Sequence, residues 1–307
     1  MKRATLFLGS LLFCISCPAQ ENPKRPPILG IGRVSIVLPE DTARFYGKQL
    51  GLSADSITCR GFCVARFDVS AHQRIELVNR RQVDLVTQKP IETNLVRVTF
   101  ETSDIKALHQ YLESRGIHTI DTNSSDPDGK NPQFFLEDPE GHRIGFIQFT
   151  GKDGSHHSDS QVSEHLIHAG FVVKDRAAED KFYKDILGFH VYWHGGMKEG
   201  EDNWVDMQVP DGTDWIEYML RVSPDASHKT LGVMNHIALG VPDIHAAQQQ
   251  LIKNGWKGTE EPKIGRDGKW QLNLYDPDET RVELMEFKPT KEPCCSPYTG
   301  PHPGPKQ

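Results

Sequence analysis

The stretch Phe45-Tyr46-Gly47-Lys48-Gln49-Leu50-Gly51-Leu52 recurs as Phe182-Tyr183-Lys184-Asp185-Ile186-Leu187-Gly188-Phe189. Each copy follows an apolar strand, Val34 to Leu38 in the first and Ala169 to Val173 in the second. Each carries an aromatic pair and a leucine on one face of an amphipathic helix. Each stops at a glycine, the residue that most readily takes the left-handed conformation ending a helix. A second pair of segments repeats as well. Thr102-Ser103-Asp104-Ile105 leads a helix that stops near Gly116, and Val241-Pro242-Asp243-Ile244 leads one that stops near Gly255, at equal spacing. The aspartate caps free backbone N–H groups at the helix start. Both segments then run to an aromatic and Asp-Pro turn and a final strand: Phe135-Leu136-Glu137-Asp138-Pro139-Glu140-Gly141 and Leu274-Tyr275-Asp276-Pro277-Asp278-Glu279. The chain therefore reads as four units of strand, helix and several strands, beginning near residues 29, 94, 165 and 234. Such a repeat decides the fold before any single residue does.

The 307 residues suit two domains of ordinary size. Hydrophobic residues at 37% and charged residues at 25% are those of a globular chain. A net charge of -7 offers no basic footprint for a phosphate backbone, so nucleic acid is not an expected partner. Residues 1–19 read as a secretory signal: Lys2 and Arg3, an apolar run from Leu6 to Ile15, then Cys17-Pro18-Ala19 before the polar Gln20-Glu21-Asn22. Cleavage is expected after Ala19, placing the mature chain in the periplasm or outside the cell. A lipid anchor on Cys17 is the alternative, although Cys14 stands where such sites usually have leucine. The apolar run is too short to span a bilayer, so no integral membrane segment is expected.

In an oxidising compartment a Cys59–Cys63 bridge is feasible. Residues 151–164, rich in Ser, Gly, His and Asp, read as a linker, with His156-His157 in solvated loop. The tail, residues 289–307, is Pro/Gly-rich and expected to be irregular, exposed and without chemistry. A metal-scavenging or redox role for Cys294-Cys295 is the other reading of that tail.

The order His168-x-Gly170 on an apolar strand, then Phe182-Tyr183 to Leu187-Gly188-Phe189, then a Glu-bearing strand, resembles the vicinal oxygen chelate superfamily. That group includes glyoxalase I, methylmalonyl-CoA epimerase, extradiol dioxygenases and the bleomycin- and fosfomycin-resistance proteins. The resemblance implies an α+β fold of two tandem domains, residues 28–150 and 165–288. Each would be a pair of βαβββ modules forming a cup-shaped mixed sheet. It allows self-association through the units and leaves the oligomer open.

In such a cup the first and last strands of a unit lie side by side and face the cavity. His168 and Glu217 then come from unit three, and His236 and Glu283 from unit four, at near-equal spacings. Two imidazoles and two carboxylates suit Zn, Ni, Co, Mn or Fe(II) and leave room for substrate oxygens. Trp215 and Met219 should share the cavity face with Glu217. Glu286 reads as a solvated edge residue and His165 as a boundary residue that a register slip would exchange for His168. In the first half the aligned positions are Arg33, Glu76, Arg97 and Gly145, so no metal is expected there. A structural Arg–Glu–Arg triad is the favoured reading of that set, and an anion site the weaker one.

The resemblance implies a metal-dependent lyase or isomerase acting on a small oxygen-rich metabolite, with Glu283 or Glu217 as the catalytic base. Export argues against glyoxalase I itself, whose usual thiol co-substrate is cytoplasmic. An Fe(II) extradiol-type dioxygenase using His168, His236 and Glu283 is the enzymatic alternative. Against it, Glu217 adds a fourth ligand. Asn273 also stands where those enzymes carry tyrosine, with Tyr275 on the other parity. A non-catalytic small-molecule binding protein is the third reading.

Overall fold

The computed structural model describes residues 23–37, 42–55, 63–81, 93–125, 129–151 and 158–305. Residues 1–19, for which a signal is expected, Cys59 and the pair His156-His157 lie outside the described residues.

Within each half, a ribbon of alternating apolar residues gives one sheet face to the core, and the units join through their first strands. In the first half the strands are β1 (Ile28–Val37), β2 (Ser53–Asp55), β3 (Cys63–Asp68), β4 (Arg74–Val78), β5 (Leu95–Thr102), β6 (Ile120–Ser125), β7 (Pro132–Glu137) and β8 (Arg143–Ile147). They form one mixed sheet in the order β2-β3-β4-β1-β5-β8-β7-β6. The second half repeats this with β9 (His165–Val172), β10 (His190–Gly195), β11 (Trp204–Gln208), β12 (Trp215–Met219), β13 (His236–Val241), β14 (Lys263–Ile264), β15 (Trp270–Tyr275) and β16 (Arg281–Glu286). Its order is β10-β11-β12-β9-β13-β16-β15-β14. Sequence-adjacent units thus share a sheet. The first strand of each unit runs parallel to its last, β9 with β12 and β13 with β16.

The caps and stops form where the sequence places them. Asp104 accepts a hydrogen bond from the N–H of Ala107, and Asp243 from that of Ala246, each worth about 1 kcal/mol. Gly51, Gly116, Gly188 and Gly255 all take positive φ at helix ends. The aromatic segments differ from the expected α-helix. Leu50 N–H reaches back to Phe45 O (3.1 Å) and Leu187 N–H to Phe182 O (3.0 Å), an i to i+5 bond that makes each a π turn. Both rings of each pair are buried there, in edge contact at 5.2 Å and 4.9 Å.

The helical faces of the two halves share one apolar core, which includes Phe45, Tyr46, Phe100, Phe182, Tyr183 and Phe189. A second, smaller cluster fills part of the cup in the second half, with Tyr192, Trp193, Trp215, Met285 and Phe287. Among the described residues no helix is long and apolar enough to cross a membrane.

The tail is irregular, as its composition implies, yet it is docked rather than free. Cys294 and Cys295 are joined as a disulfide, and Trp193 Nε1–H donates to Cys294 O (3.1 Å). Thr299 N–H donates to Tyr192 O (3.0 Å), Gln208 Nε2 to Pro301 O (2.9 Å) and Tyr298 Oη to Asp267 O (2.7 Å). The reason is local: β10 is the edge strand of the sheet, and Tyr298 and His302 of the tail pack on Tyr192 there. Replacing Tyr298 by Ala should cost about 1–3 kcal/mol, the order expected for uncovering apolar surface of this size. Denaturant unfolding would measure it, and an unchanged midpoint would show that the tail contributes nothing to the fold.

Candidate metal centre

Strand alternation alone would send His168 and its neighbours to opposite faces, but a bulge intervenes. On the strand facing β13, Ala238 pairs with His168 and Leu239 with Leu166, leaving Ile167 as the extra residue. A bulge re-aims the side chains beside it, and here both Ile167 and His168 turn into the cup. Its copy lies at Gly32, between Ile31 and Arg33, so the feature belongs to the repeat. Beyond it the pleat is regular. Glu217 pairs with Gly170, His236 with Gly170 from the other side, and Glu283 with Ala238.

These registers bring all four expected residues together. The Nε2 atoms of His168 and His236 are 3.0 Å apart. Glu217 Oε2 lies 3.1 Å from His236 Nε2 and 3.8 Å from His168 Nε2. Glu283 Oε2 lies 3.6 Å from His168 Nε2 and 3.8 Å from His236 Nε2. Donor atoms of His168, Glu217 and His236 all fall within 4.8 Å of one another. The site depends on Gly170, because a Cβ there would lie 2.1 Å from Cε1 of the His236 ring.

Burial dominates the electrostatics of the group. Burial first, then the positive charge of Arg281, pushes His236 well down; burial, His236, Arg281 and Lys269 do the same to His168. Both imidazoles are therefore neutral. His236 Nδ1 lies 3.0 Å from Met234 O, so it carries the proton and Nε2 presents a lone pair. A lone pair there faces His168 Nε2 at hydrogen-bond distance, while the buried Nδ1 of His168 has no partner. Both carboxyls are pushed up to about 7, by burial first. Arg281 opposes that rise in both cases and Lys269 in that of Glu217, while Glu217 adds to it at Glu283. Donors separated by 3.0–3.8 Å match the edges of a coordination shell with ligand bonds of about 2.0–2.2 Å. The residues fit a borderline divalent ion.

Arg281, Asp206 and Lys269, which sequence reading did not single out, join this group. Arg281, two positions before Glu283 and on the same face, places Nη2 2.6 Å from His236 Nε2 and 3.9 Å from Glu217 Oε2. Asp206 pairs directly with Glu217, and Asn273 with Glu283. Asp206 is raised well above the usual carboxylate range, by burial first and then by Glu217. Lys269 is buried with Nζ 4.6 Å from the Trp215 ring centre, 5.1 Å from that of Tyr192 and 5.2 Å from that of Tyr298. The period of two along β16, applied backward from Glu283, was the signal for Arg281. For Lys269 there was none.

The other expectations sort clearly. The Trp215 ring packs on His168 at 4.8 Å, and Met219 is buried. Tyr275 is 41% exposed, on the outer face. Glu286 is tied down rather than solvated, accepting from the N–H of Ile244 at a helix start (3.0 Å). His165 begins β9 but stays out of the group, bound to Asp214 (2.6 Å) and to Gly304 O. In the first half Arg33 and Arg97 flank Glu76 at 3.6 Å and 3.0 Å, and Ser35 Oγ donates to it at 3.1 Å. Burial alone would raise Glu76, but Arg33, Arg97, Ser35 and Arg66 together lower it. This is the buried Arg–Glu–Arg triad. A side chain at Gly145 would meet Thr99 and Phe135. An open cavity of about 740 Å³ lies elsewhere, beside Arg176, His194, Asp202 and Cys295.

Two outcomes are expected for the metal-free protein and its loaded form. A carboxyl raised in the folded state stabilises the fold most below its ordinary value and loses that contribution as pH rises through the folded value. Relative to Glu217→Gln/Glu283→Gln, metal-free wild type should therefore lose stability from about pH 4.5 to about 7. The imidazoles are common to both proteins and cancel, so a flat difference would refute the raised carboxyls. Gly170→Ala, by displacing the His236 ring, should weaken metal binding about 10- to 100-fold in calorimetry.

Comparison with known proteins gives these observations a frame. Among curated proteins, a lactoylglutathione lyase of Haemophilus influenzae is 27% identical over 128 residues, covering 41% of this chain and 95% of that one. Among solved structures, a substrate complex of homoprotocatechuate 2,3-dioxygenase from Brevibacterium fuscum superposes with a TM-score of 0.61 at 19% identity, over 87% of this chain and 83% of that one. A variant of the same enzyme gives 0.64 at 19% identity, over 87% and 73%. Those structural likenesses speak for the fold alone. The model of the glyoxalase/bleomycin resistance protein/dioxygenase superfamily matches residues 38–146 and 165–284, and with both halves so matched the chain belongs to that superfamily.

Proposed function

We propose that this chain is an exported, metal-dependent enzyme of glyoxalase type, acting as a lyase or isomerase on a small oxygen-rich metabolite. The observation that carries the reading is the convergence of His168, Glu217, His236 and Glu283 on one point of the second cup. These four would hold one divalent ion. Bound there, the ion would polarise a substrate carbonyl and favour the enolate formed beside it.

The chain's own residues supply the rest. Glu283 or Glu217 is positioned to take a proton from the carbon next to that carbonyl and return it at a neighbouring atom. Their carboxyls, pushed up to about 7, are near-neutral acids and bases, as such transfer needs. Arg281 offers N–H donors to a substrate oxygen on the same wall. Trp215, Tyr192 and Met285 give the cup an apolar lining that keeps water from the reacting carbon. The four-donor set favours lyase chemistry over ring cleavage, which needs two histidines and one carboxylate. Asn273, not a tyrosine, faces Glu283 across the strands, and the 27% identity to a lactoylglutathione lyase points the same way.

The test is metal analysis followed by assay of chelator-stripped protein reloaded with Zn(II), Ni(II), Co(II), Mn(II) or Fe(II). Proton exchange beside the carbonyl of 2-oxoaldehyde adducts should appear with one of the first four. It should fall about 10²- to 10⁴-fold in Glu283→Ala or Glu217→Ala, whichever is the base. Cleavage of a catechol with Fe(II) and oxygen would replace this reading by the dioxygenase. Ligand binding that persists without any metal would replace both by a binding protein.

A further inference from the structure

The two halves meet through a turn that is built twice. In one copy Tyr46 Oη donates to Asp276 Oδ2 (3.4 Å), and Asp276 Oδ1 accepts from the N–H groups of Asp278 (3.0 Å) and Thr280 (2.9 Å). In the other Tyr183 Oη donates to Asp138 Oδ2 (3.1 Å), and Asp138 Oδ1 accepts from the N–H groups of Glu140 (3.1 Å) and His142 (2.7 Å). The repeat aligns Thr280 with His142 and Thr42 with Glu179. One copy thus uses two threonines, with the Thr280 hydroxyl bonded to Asp276 and to Asn94, where the other carries an imidazole and a carboxylate.

That imidazole and that carboxylate are arranged as ligands. His142 Nδ1 is 2.7 Å from Asp138 Oδ2, and its ring is stacked on Phe171 at 4.7 Å. Glu179 is fully buried; Oε1 accepts from Glu140 N–H (3.1 Å), but Oε2 has no hydrogen-bond partner. The buried hydroxyl of Tyr218, close enough to be perturbed by Glu179 and Asp138, has no partner either. One donor atom each from Asp138, His142 and Glu179 lies within 4.8 Å of the other two. The His142 side chain is 22% exposed, which leaves a way in.

We infer that Asp138, His142 and Glu179 form a second divalent-cation site that ties the first half of the chain to the second. One nitrogen and two carboxylates select a borderline ion such as zinc, cobalt or manganese. Unlike the cup, this site draws its ligands from both halves, Asp138 and His142 from the turn between β7 and β8 and Glu179 from the helix Arg176–Asp180. It does not depend on any chemistry proposed for His168, Glu217, His236 and Glu283.

The experiment is zinc stoichiometry of the full chain, stripped with chelator, reloaded and passed through gel filtration, beside two variants. His142→Thr/Glu179→Thr copies the other junction and should fold as that junction does; Glu217→Ala/Glu283→Ala empties the cup. Two equivalents in the wild type and one in each variant are expected, with the melting temperature of His142→Thr/Glu179→Thr no longer raised by the equivalent it has lost. One equivalent that only His142→Thr/Glu179→Thr removes would support the junction site and sink the cup site. An unchanged zinc content in His142→Thr/Glu179→Thr, or no zinc in the wild type, would overturn the inference.

Discussion

The imidazole of His236 lies over the backbone of Gly170, in space that any side chain at that position would fill. That close approach is possible because β9 sits between β12 and β13, with Gly170 facing Glu217 on one side and His236 on the other. The strand pairings that bury the core are therefore the same pairings that set the distances between nitrogen and oxygen donors. Nothing in the cup can be rearranged without disturbing the ladder that holds it. Its precision is that of a sheet rather than of a loop.

The first half shows what the same scaffold does with other charges. Arg33, Glu76 and Arg97 occupy the places of His168, Glu217 and His236 in an equivalent register, and Ser35 stands where Gly170 does. Two fixed guanidinium cations flank one carboxylate, so Glu76 is held ionised by its own neighbours. In the second half two neutral imidazoles meet two carboxyls that burial pushes toward protonation. One set is closed on itself, whereas the other turns imidazole nitrogens and carboxyl oxygens toward one another.

Much of this was legible beforehand for a physical reason. Helix stops at Gly51 and Gly188 and caps at Asp104 and Asp243 are local events, encoded within a few residues. The positions of His168, Glu217, His236 and Glu283 followed from repeat spacing together with the two-residue period of a strand. What stayed hidden depends on contacts across the chain or on a single inserted residue. The bulges at Gly32 and Ile167 add one residue to a strand whose composition does not change. Arg281, Asp206 and Lys269 look like surface charges until their cross-strand partners are known. The tail's composition describes its lack of regular structure and carries no information about the aromatic edge on which it rests. The π turns contain the residues of an ordinary amphipathic helix, and only the shift of one hydrogen bond separates the two.

The reciprocal contact, Tyr46 with Asp276 and Tyr183 with Asp138, has the form of a self-complementary dimer interface in which each partner gives what it receives. Two identical subunits joined this way would be bound by their symmetry: any residue introduced at one turn would appear at the other. Here both partners lie in a single polypeptide, and that obligation is lifted. Thr280 can stand at one turn and His142 at its twin, and arginines can fill one cup while histidines fill the other. Covalent fusion thus converts a symmetric architecture into one whose equivalent positions are free to drift apart, with the shared core keeping them in register.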